Sequence, residues 1–551
     1  MADELVKVAE DSARGGFFLV FGTALSTVIM AVSAILIGWF LGAEQYGRYT
    51  VAVILPSLLF LLADLGINQG ITKFSASLNA RGETGRLFTI VKRAMLLKAA
   101  VGIMLFAANY VLADQIGAFI LQRPDLGPEV RIASISVLFQ VIFAIATSAF
   151  VGLDKTEYNV LATNLQALAK TIISIVLVLL GFGVAGALIG FVASYVVAAA
   201  ASALLLLFFL RGKQAAGDGH SFSDDVGTLM KYGAPLYAAL LLTGCIPLLQ
   251  NYVLALFTTD TEIGNYKVAT NFATLMTILS FPIATMLLPA FAKIDSSAIE
   301  KIRTFFKMAN KYTTMMVVPV AMLMIVYSDE IIHIVYQSKF QSAPAYLAAY
   351  SLVYLLVGLG SLTTVSFFNG LGETRATLLV SLTAFLALLG LSPMLANAYG
   401  VIGMLAAFIV ASTLSTLCSL YIARARFQVE FAVSSLLKIY GVATISLAPS
   451  LALLYSGVIR QSFSAIAPSF LLRLGFLPEL IDFAAGVLLY LFIYLTLTPL
   501  TGIVTKPELQ MASRVIRRVP GLSIVGERVL KYMKNTLNRR TKKQVARAET
   551  H

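Results

Sequence analysis

The chain has 551 residues, of which 58% are hydrophobic and only 13% are charged, and its mean hydropathy is +0.85. A soluble globular domain carries about 25% charged residues, so this composition excludes a water-soluble protein and indicates an integral membrane protein. The formal net charge is +13 at pH 7. Neither Cys245 nor Cys418 has metal-ligand spacing or a disulfide partner nearby, and no cleavable signal peptide precedes the first apolar run.

Apolar runs of the length that crosses a bilayer, about 20 residues, recur along the chain. They predict an all-α membrane protein of about fourteen transmembrane helices, because backbone polar groups in hydrocarbon can bond only within a helix. The predicted spans are 17–41, 49–71, 87–112, 130–151, 160–180, 184–210, 229–257, 263–288, 308–326, 343–367, 377–396, 401–423, 436–459 and 480–500.

Most of the 41 Lys and Arg residues fall on one side of these spans. Positive loops face the cytoplasm, so we expect a protein of the cytoplasmic membrane with both termini inside. The predicted segments are an N-terminal segment 1–14, an N-lobe 15–212, a linker 213–228, a C-lobe 229–426, two additional helices within 427–504 and a basic tail 505–551.

In the tail, apolar residues recur at helical spacing between Lys and Arg residues. They are Leu522, Val525, Val529, Met533 and Leu537. This pattern is typical of an amphipathic helix on anionic inner-leaflet lipids; a solvated tail is the alternative. Nothing indicates nucleic-acid binding.

The chain repeats itself with a shift of 217 or 218 residues. Gly47 and Tyr49 match Gly264 and Tyr266, and three further groups match in the same order. These groups are Phe150, Gly152, Leu153 and Thr156 with Phe368, Gly370, Leu371 and Thr374; Gly183, Val184, Gly186, Leu188 and Phe191 with Gly400, Val401, Gly403, Leu405 and Phe408; and Arg14 and Gly16 with Lys231 and Gly233. Because six spans separate matched positions, the halves are predicted to be parallel six-helix repeats around a central cavity, an arrangement in which transporters place substrate between the halves.

Glycine-rich motifs at span ends carry a family resemblance. They are Leu41-Gly42-Ala43-Glu44-Gln45-Tyr46-Gly47-Arg48-Tyr49, Asp64-Leu65-Gly66-Ile67 with Gly70, Phe150-Val151-Gly152-Leu153-Asp154-Lys155, Gly233-Ala234-Pro235 and Phe368-Asn369-Gly370-Leu371-Gly372-Glu373. Over about residues 10–500 the chain resembles the polysaccharide-lipid flippases of the multidrug/oligosaccharidyl-lipid/polysaccharide (MOP) exporter superfamily. The resemblance implies a monomeric transporter that carries a lipid-linked oligosaccharide across the cytoplasmic membrane, alongside glycan-assembly proteins.

Charged residues within spans are costly, by about 2.5–3.5 kcal/mol at mid-helix, so they mark candidate sites. Lys98 and Lys170 each lie about 16 Å into a span at 1.5 Å per residue. We expect cations in the cavity to attract the phosphate of a lipid-linked sugar and amides to bond sugar hydroxyls. Bonding to a neighbouring helix is the alternative for each, and for Arg48 and Lys267, near the rim, snorkelling to the membrane interface is a further alternative. The predicted substrate-binding residues are Lys98, Lys170, Gln166, Arg48, Lys267, Asn271 and Gln250.

Three further residues are candidates for gating. Asp64, inside the second span, could pair with Arg14, Lys73 or Lys98. Pro235 and Pro247 interrupt the seventh span, where proline permits either a bending gate or a fixed kink.

No enzyme, metal-binding or cofactor motif is present. The alternatives to an oligosaccharide-lipid flippase are a cation-coupled multidrug exporter of the same fold and a flippase for the peptidoglycan lipid precursor. The exporter needs membrane-embedded carboxylates, whereas the charges predicted inside the spans are mainly positive. A glycosyltransferase or polymerase is disfavoured because no long outer loop is present.

Overall fold

The computed structural model describes residues 2–210, 221–292, 299–459, 461, 477–516 and 523–548, and within these ranges the protein is helical with no β-strand. Its α-helices are α1 Ala2–Ala52, α2 Ile54–Leu62, α3 Ile67–Ala80, α4 Thr84–Val111, α5 Ala113–Gln115, α6 Gly127–Gly152, α7 Thr156–Leu177, α8 Gly183–Leu210, α9 Phe222–Phe257, α10 Asp260–Ala292, α11 Ile299–Val326, α12 Ser328–Tyr336, α13 Ala343–Ser351, α14 Thr363–Gly370, α15 Thr374–Phe427, α16 Val433–Ser456, α17 Leu477–Leu500, α18 Lys506–Ile516 and α19 Ser523–Ala548.

Among the described residues, nine helical stretches are long and apolar enough to cross a membrane, or ten if the bent pair Ala343–Leu359 and Thr363–Gly370 is one span. This confirms the all-helical, multi-pass class. Three of the nine stretches each overlap two predicted spans: Gly22–Leu62, Thr156–Phe209 and Thr374–Phe427. The number fourteen itself stays a prediction.

Glycine breaks separate predicted spans within two of these stretches. Gly183 has φ 53° and ψ −132°, and Gly400, 217 positions later, has φ 58° and ψ −134°. This region is open almost only to glycine. A second matched pair, Asp154 and Gly372, also has positive φ, 56° and 77°. Positions matched by the internal repeat therefore share an unusual backbone conformation.

The chain forms two compact units. Unit 1 contains residues 1–282, 335–350 and 371–419. One of its cores joins α3, α4, α6 and α9 through buried side chains such as Ile67, Leu87, Phe150 and Leu229. The bounds of the two units reflect which helices pack together, and they do not coincide with the predicted N-lobe and C-lobe. The two lobes remain a prediction from the internal repeat.

Unit 2 contains residues 283–334, 351–370 and 420–551. Tyr327 and Tyr490 are buried in its core, where the Tyr490 hydroxyl donates to the Pro319 carbonyl at 3.2 Å. The Tyr490 hydroxyl thereby bonds the backbone carbonyl of a proline inside the apolar helix α11.

The C-terminal tail belongs to unit 2 and is folded onto it. Met533 and Leu537 of α19 are buried, and the Tyr532 hydroxyl shares a 2.7 Å hydrogen bond with Thr496 of α17. Part of the apolar stripe therefore packs on protein, while the side chains of Leu522 and Val525 lie outside the described residues.

Candidate functional site

Two lysines without a described counter-charge lie near each other inside unit 1. Lys170 is on α7 and Lys267 is on α10. The two side chains lie close enough for the charge of Lys267 to act on Lys170. Each side chain also keeps partial access to solvent. In the described part of the chain, neither has a carboxylate within 4.0 Å; Lys170 instead lies 5.4 Å from the centre of the Phe191 ring.

Helical spacing places polar residues above and below Lys170 on α7. Gln166 is buried and donates from Nε2 to Ser194 Oγ of α8 at 3.0 Å, and Ser174 donates to the Ala187 carbonyl at 3.2 Å. Both neighbours of Lys170 on this stripe thus bond α8. Lys170 is the member left without such a bond among the residues described.

The stripe on α10 follows the same pattern. Asn271, one turn from Lys267, donates from Nδ2 to the hydroxyl of Tyr46 at 2.8 Å. Asn271 therefore ties α10 to α1, and Lys267 carries the charge of this stripe.

Gln250 of α9 differs from the other predicted amides. Its side chain is buried, and Nε2 has no hydrogen-bond partner among the described atoms. An unsatisfied buried amide costs about 1–3 kcal/mol, so Gln250 offers a donor to any ligand or water that reaches it.

Lys98, predicted to work with Lys170, is instead part of a buried polar cluster. It is 1% exposed and lies 3.2 Å from Asp64 Oδ1. Its ammonium also donates to Asn68 Oδ1 at 2.9 Å, and the backbone N–H of Asn68 donates to Asp64 Oδ1 at 3.2 Å. Asp64, for which the sequence left three partners open, pairs with Lys98, and this pairing neutralises the lysine.

Arg48 is also neutralised. It pairs with Asp125 and lies 3.0 Å from Glu129. Asp125 lies in the segment before α6, and Glu129 lies in the first turn of α6. These pairs join α1 to the start of α6, and the substrate-binding role of Arg48 stays a prediction.

The two proline candidates both lie within α9, which is continuous from Phe222 to Phe257 with no non-helical residue inside it. Pro247 is exposed, and the side chain of Pro235 lies outside the described residues. A bend at either proline stays a prediction.

Sequence reasoning missed Asn68, Arg93 and Arg123. Asn68 lies one helical turn from Asp64, and that spacing could have indicated it. The partners of Arg93 and Arg123 are more than 120 residues away, and no local pattern indicates them. In the described segments, no group of three potential metal ligands occurs.

Long apolar helices broken at glycines, with a few charged residues inside them, define a multi-pass membrane protein. The family profile described as "Polysaccharide biosynthesis protein" matches residues 12–295, which is more than half of the chain. The chain belongs to this family.

Solved structures support the fold. The chain is similar to the lipid II flippase MurJ in an inward closed conformation, with a TM-score of 0.68, 16% identity and coverage of 88% of this chain and 99% of that one. It is also similar to an inward-facing MATE family multidrug resistance transporter of the MOP superfamily, with a TM-score of 0.65, 15% identity and coverage of 73% and 94%.

A third similar structure is a MOP superfamily transporter from Pyrococcus furiosus, described as having a binding pocket of reverse polarity. Its TM-score is 0.56, with 15% identity and coverage of 75% and 95%. A search of curated protein sequences gave no match. The chain has the fold of transporters and flippases of the MOP superfamily.

Proposed function

We propose that the protein flips a polyprenyl-phosphate-linked oligosaccharide across the cytoplasmic membrane by alternating access, for the assembly of a polysaccharide or glycan. The observation that carries the proposal is the pair Lys170 and Lys267, two cations with no described counter-charge. The proposal includes both termini on the cytoplasmic side, and single cysteines at Asp11 and Thr541 should therefore label only from that side.

The electrostatics favour an anionic cargo. Placing a lysine at mid-span costs about 2.5–3.5 kcal/mol, and a second nearby cation adds repulsion. Two unit charges about 4 Å apart attract by about 4 kcal/mol at an effective dielectric constant of 20. A phosphate between the two ammonium groups would offset both costs, whereas a cationic drug would add to them.

Two further groups in unit 1 suit a phosphosugar. Gln250 has a free donor for a hydroxyl or phosphate oxygen, and the Phe191 ring beside Lys170 offers an apolar face. Lysine recognises phosphate through a compact positive charge. Because this charge does not contact the sugar, the site would accept different sugars on the same lipid phosphate.

The test is transport by the purified protein in liposomes, with a fluorescent short-chain polyprenyl-diphosphate disaccharide as the probe. We expect Lys170→Gln and Lys267→Gln each to lower the initial rate at least about tenfold, since each removes a charge-assisted bond of about 1.5–3 kcal/mol. Lys→Arg at the same positions should keep most of the rate, because the charge is kept.

Lys438→Gln is the matched control. Lys438 is an exposed lysine on α16, and its removal should leave transport unchanged. Normal rates in both site variants at equal protein levels would contradict the proposal. Parallel runs with lipid II and with a cationic dye separate the alternatives: transport of dye alone would assign the protein to the drug exporters.

We also propose that the tail contacts anionic lipids. Arg528, Lys531 and Lys534 are exposed on α19, and the helix packs beside Thr496 and Phe492 near the end of the spanning helix α17. Surface basic residues gain about 1 kcal/mol each from an anionic leaflet. If hydrogen exchange of α19 were equal in nanodiscs with and without phosphatidylglycerol, this contact would be absent.

A further inference from the structure

Two charged clusters lie at opposite ends of α9. The helix has 36 residues, so at 1.5 Å per residue its ends are about 54 Å apart. The hydrocarbon core of a bilayer is about 30 Å thick. Clusters at the two ends of α9 therefore lie on opposite sides of the membrane.

We name the first cluster the Asp225 latch; it consists of Asp225, Arg86 and Arg93. Asp225 lies in the first turn of α9 and is 4% exposed. It pairs with Arg93 and lies 3.7 Å from Arg86, both on α4. Arg93 also donates to the Ser221 carbonyl at 3.3 Å. This latch ties α4, from the first predicted half, to the start of α9, which lies in the predicted linker to the second half.

The second cluster, the Asp260 latch, consists of Arg123, Asp260 and the carbonyl of Thr258. Arg123 Nε lies 3.0 Å from Asp260 Oδ1, and a terminal guanidinium nitrogen donates to the Thr258 carbonyl at 2.6 Å. Arg123 lies in the segment between α5 and α6. It joins this segment of the first half to the turn between α9 and α10.

Close backbone contacts accompany each latch. A Cβ added at Gly47 would lie 1.8 Å from the Asp260 carbonyl oxygen, and one added at Gly264 would lie 1.9 Å from that of Ala43. At the other end, a Cβ at Gly233 would lie 1.8 Å from the Gly66 carbonyl oxygen. The helices therefore touch backbone to backbone on the side of each latch.

We propose that the Asp225 latch and the Asp260 latch are the two gates of the route to Lys170 and Lys267, and that transport opens them one at a time. The assignment of the gated site and its alternating opening rest on the proposed function; the assignment of these residues as the gates rests on their contacts. The arginines of both latches keep partial exposure, 25% for Arg86 and Arg93 and 20% for Arg123, so water can reach each ion pair as it breaks and reduce the cost of breaking it. When both latches are closed, the cargo can leave only after one of them breaks.

The test measures distances between spin labels at both ends by pulsed electron paramagnetic resonance in liposomes. Cys245 and Cys418 are first replaced by serine. One label pair, Lys92→Cys with Gly227→Cys, spans the Asp225 end, where nothing lies within 4 Å of a Cβ at Gly227. The other pair, Phe119→Cys with Thr261→Cys, spans the Asp260 end, and both side chains are exposed.

We expect Asp225→Asn to raise the population of long distances at the Asp225 end by about fivefold, the effect of losing one ion pair worth about 1 kcal/mol. The long-distance population at the Asp260 end should fall at the same time, because the two open states compete. Asp260→Asn should give the opposite pattern. The charge swap Arg123→Asp with Asp260→Arg should restore the wild-type distributions.

Asp114→Asn is the matched control. It breaks the Asp114–Arg131 pair at 2.7 Å, which joins α5 to α6 within one half, and both distributions should stay as in the wild type. Latch variants that match this control, or that open both ends together, would overturn the proposal. If reciprocal opening occurs but no lipid-linked sugar is transported, the latches stand and the cargo assignment fails.

Discussion

At the scale of single residues, the cations inside the helices divide into neutralised and unneutralised ones. Lys98 is held by Asp64 and Asn68, and Arg48 is held by two carboxylates. Lys170 and Lys267 have no such partner in the described residues. The sequence shows four cations within or beside apolar spans, but which of them is neutralised depends on which helices are neighbours.

The Lys98–Asp64 pair makes the effect of substitution depend on the partner. Asp64→Leu or Lys98→Met alone should destabilise the protein by about 3–5 kcal/mol, because each leaves a buried charge uncompensated. The double variant should recover most of that loss. Thermal unfolding in detergent measures it, and additive single effects would show that the pair is not coupled.

Glu508 gives a prediction about pH. Burial acts to raise the pKa of Glu508, but hydrogen bonds from Lys311, Tyr312 and the Thr505 amide, together with the Lys311 charge, outweigh it and hold the pKa below the ordinary value of 4.5. The group therefore stabilises the fold above pH 4.5, and this contribution is lost as pH falls through the lowered pKa.

The corresponding measurement compares the wild type with Glu508→Gln between pH 7 and pH 3. The difference in unfolding temperature should be full at neutral pH and should shrink below pH 4.5. A difference that stays constant over this range would show that the carboxylate charge is not the source of the stability.

At the scale of helices, glycine decides where one span ends and the next begins. Gly183 and Gly400 sit at φ near +55° with ψ near −133°, and neither Thr258 nor Glu262 comes closer than 3.7 Å to a Cβ at Gly400. The requirement for glycine at position 400 therefore comes from the backbone conformation rather than from crowding.

Alanine at position 400 should cost about 1–3 kcal/mol, the price of a side chain in a glycine-only region. Gly390→Ala is the control, because Gly390 lies in the same helix α15, is exposed and has nothing within 4 Å of an added Cβ. Unfolding in detergent should show a lower midpoint for Gly400→Ala only. Equal midpoints for the two variants would contradict this explanation.

At the scale of the whole molecule, the membrane class, the family and the glycine turns are predictable from the sequence, because apolar length and positive-φ turns are local properties. The pairings are not, because Lys98 bonds across 34 residues and Lys311 bonds across 197. The amphipathic pattern of 522–537 indicates a helix, but it does not reveal that Met533 is buried by protein. Which polar residue stays unsatisfied depends on helix neighbours that no spacing encodes.

The contacts of Gly47 with Asp260 and of Gly264 with Ala43 are one contact made twice, since each glycine and each carbonyl has its counterpart 217 positions away. This reciprocity is the geometry of an isologous dimer interface. A polypeptide made of one half alone would carry both the glycine and the carbonyl of this contact, and two copies could associate side by side in the same orientation. In the full-length chain, the residues of each contact can be substituted independently, so the two contact surfaces are free to acquire different chemistry.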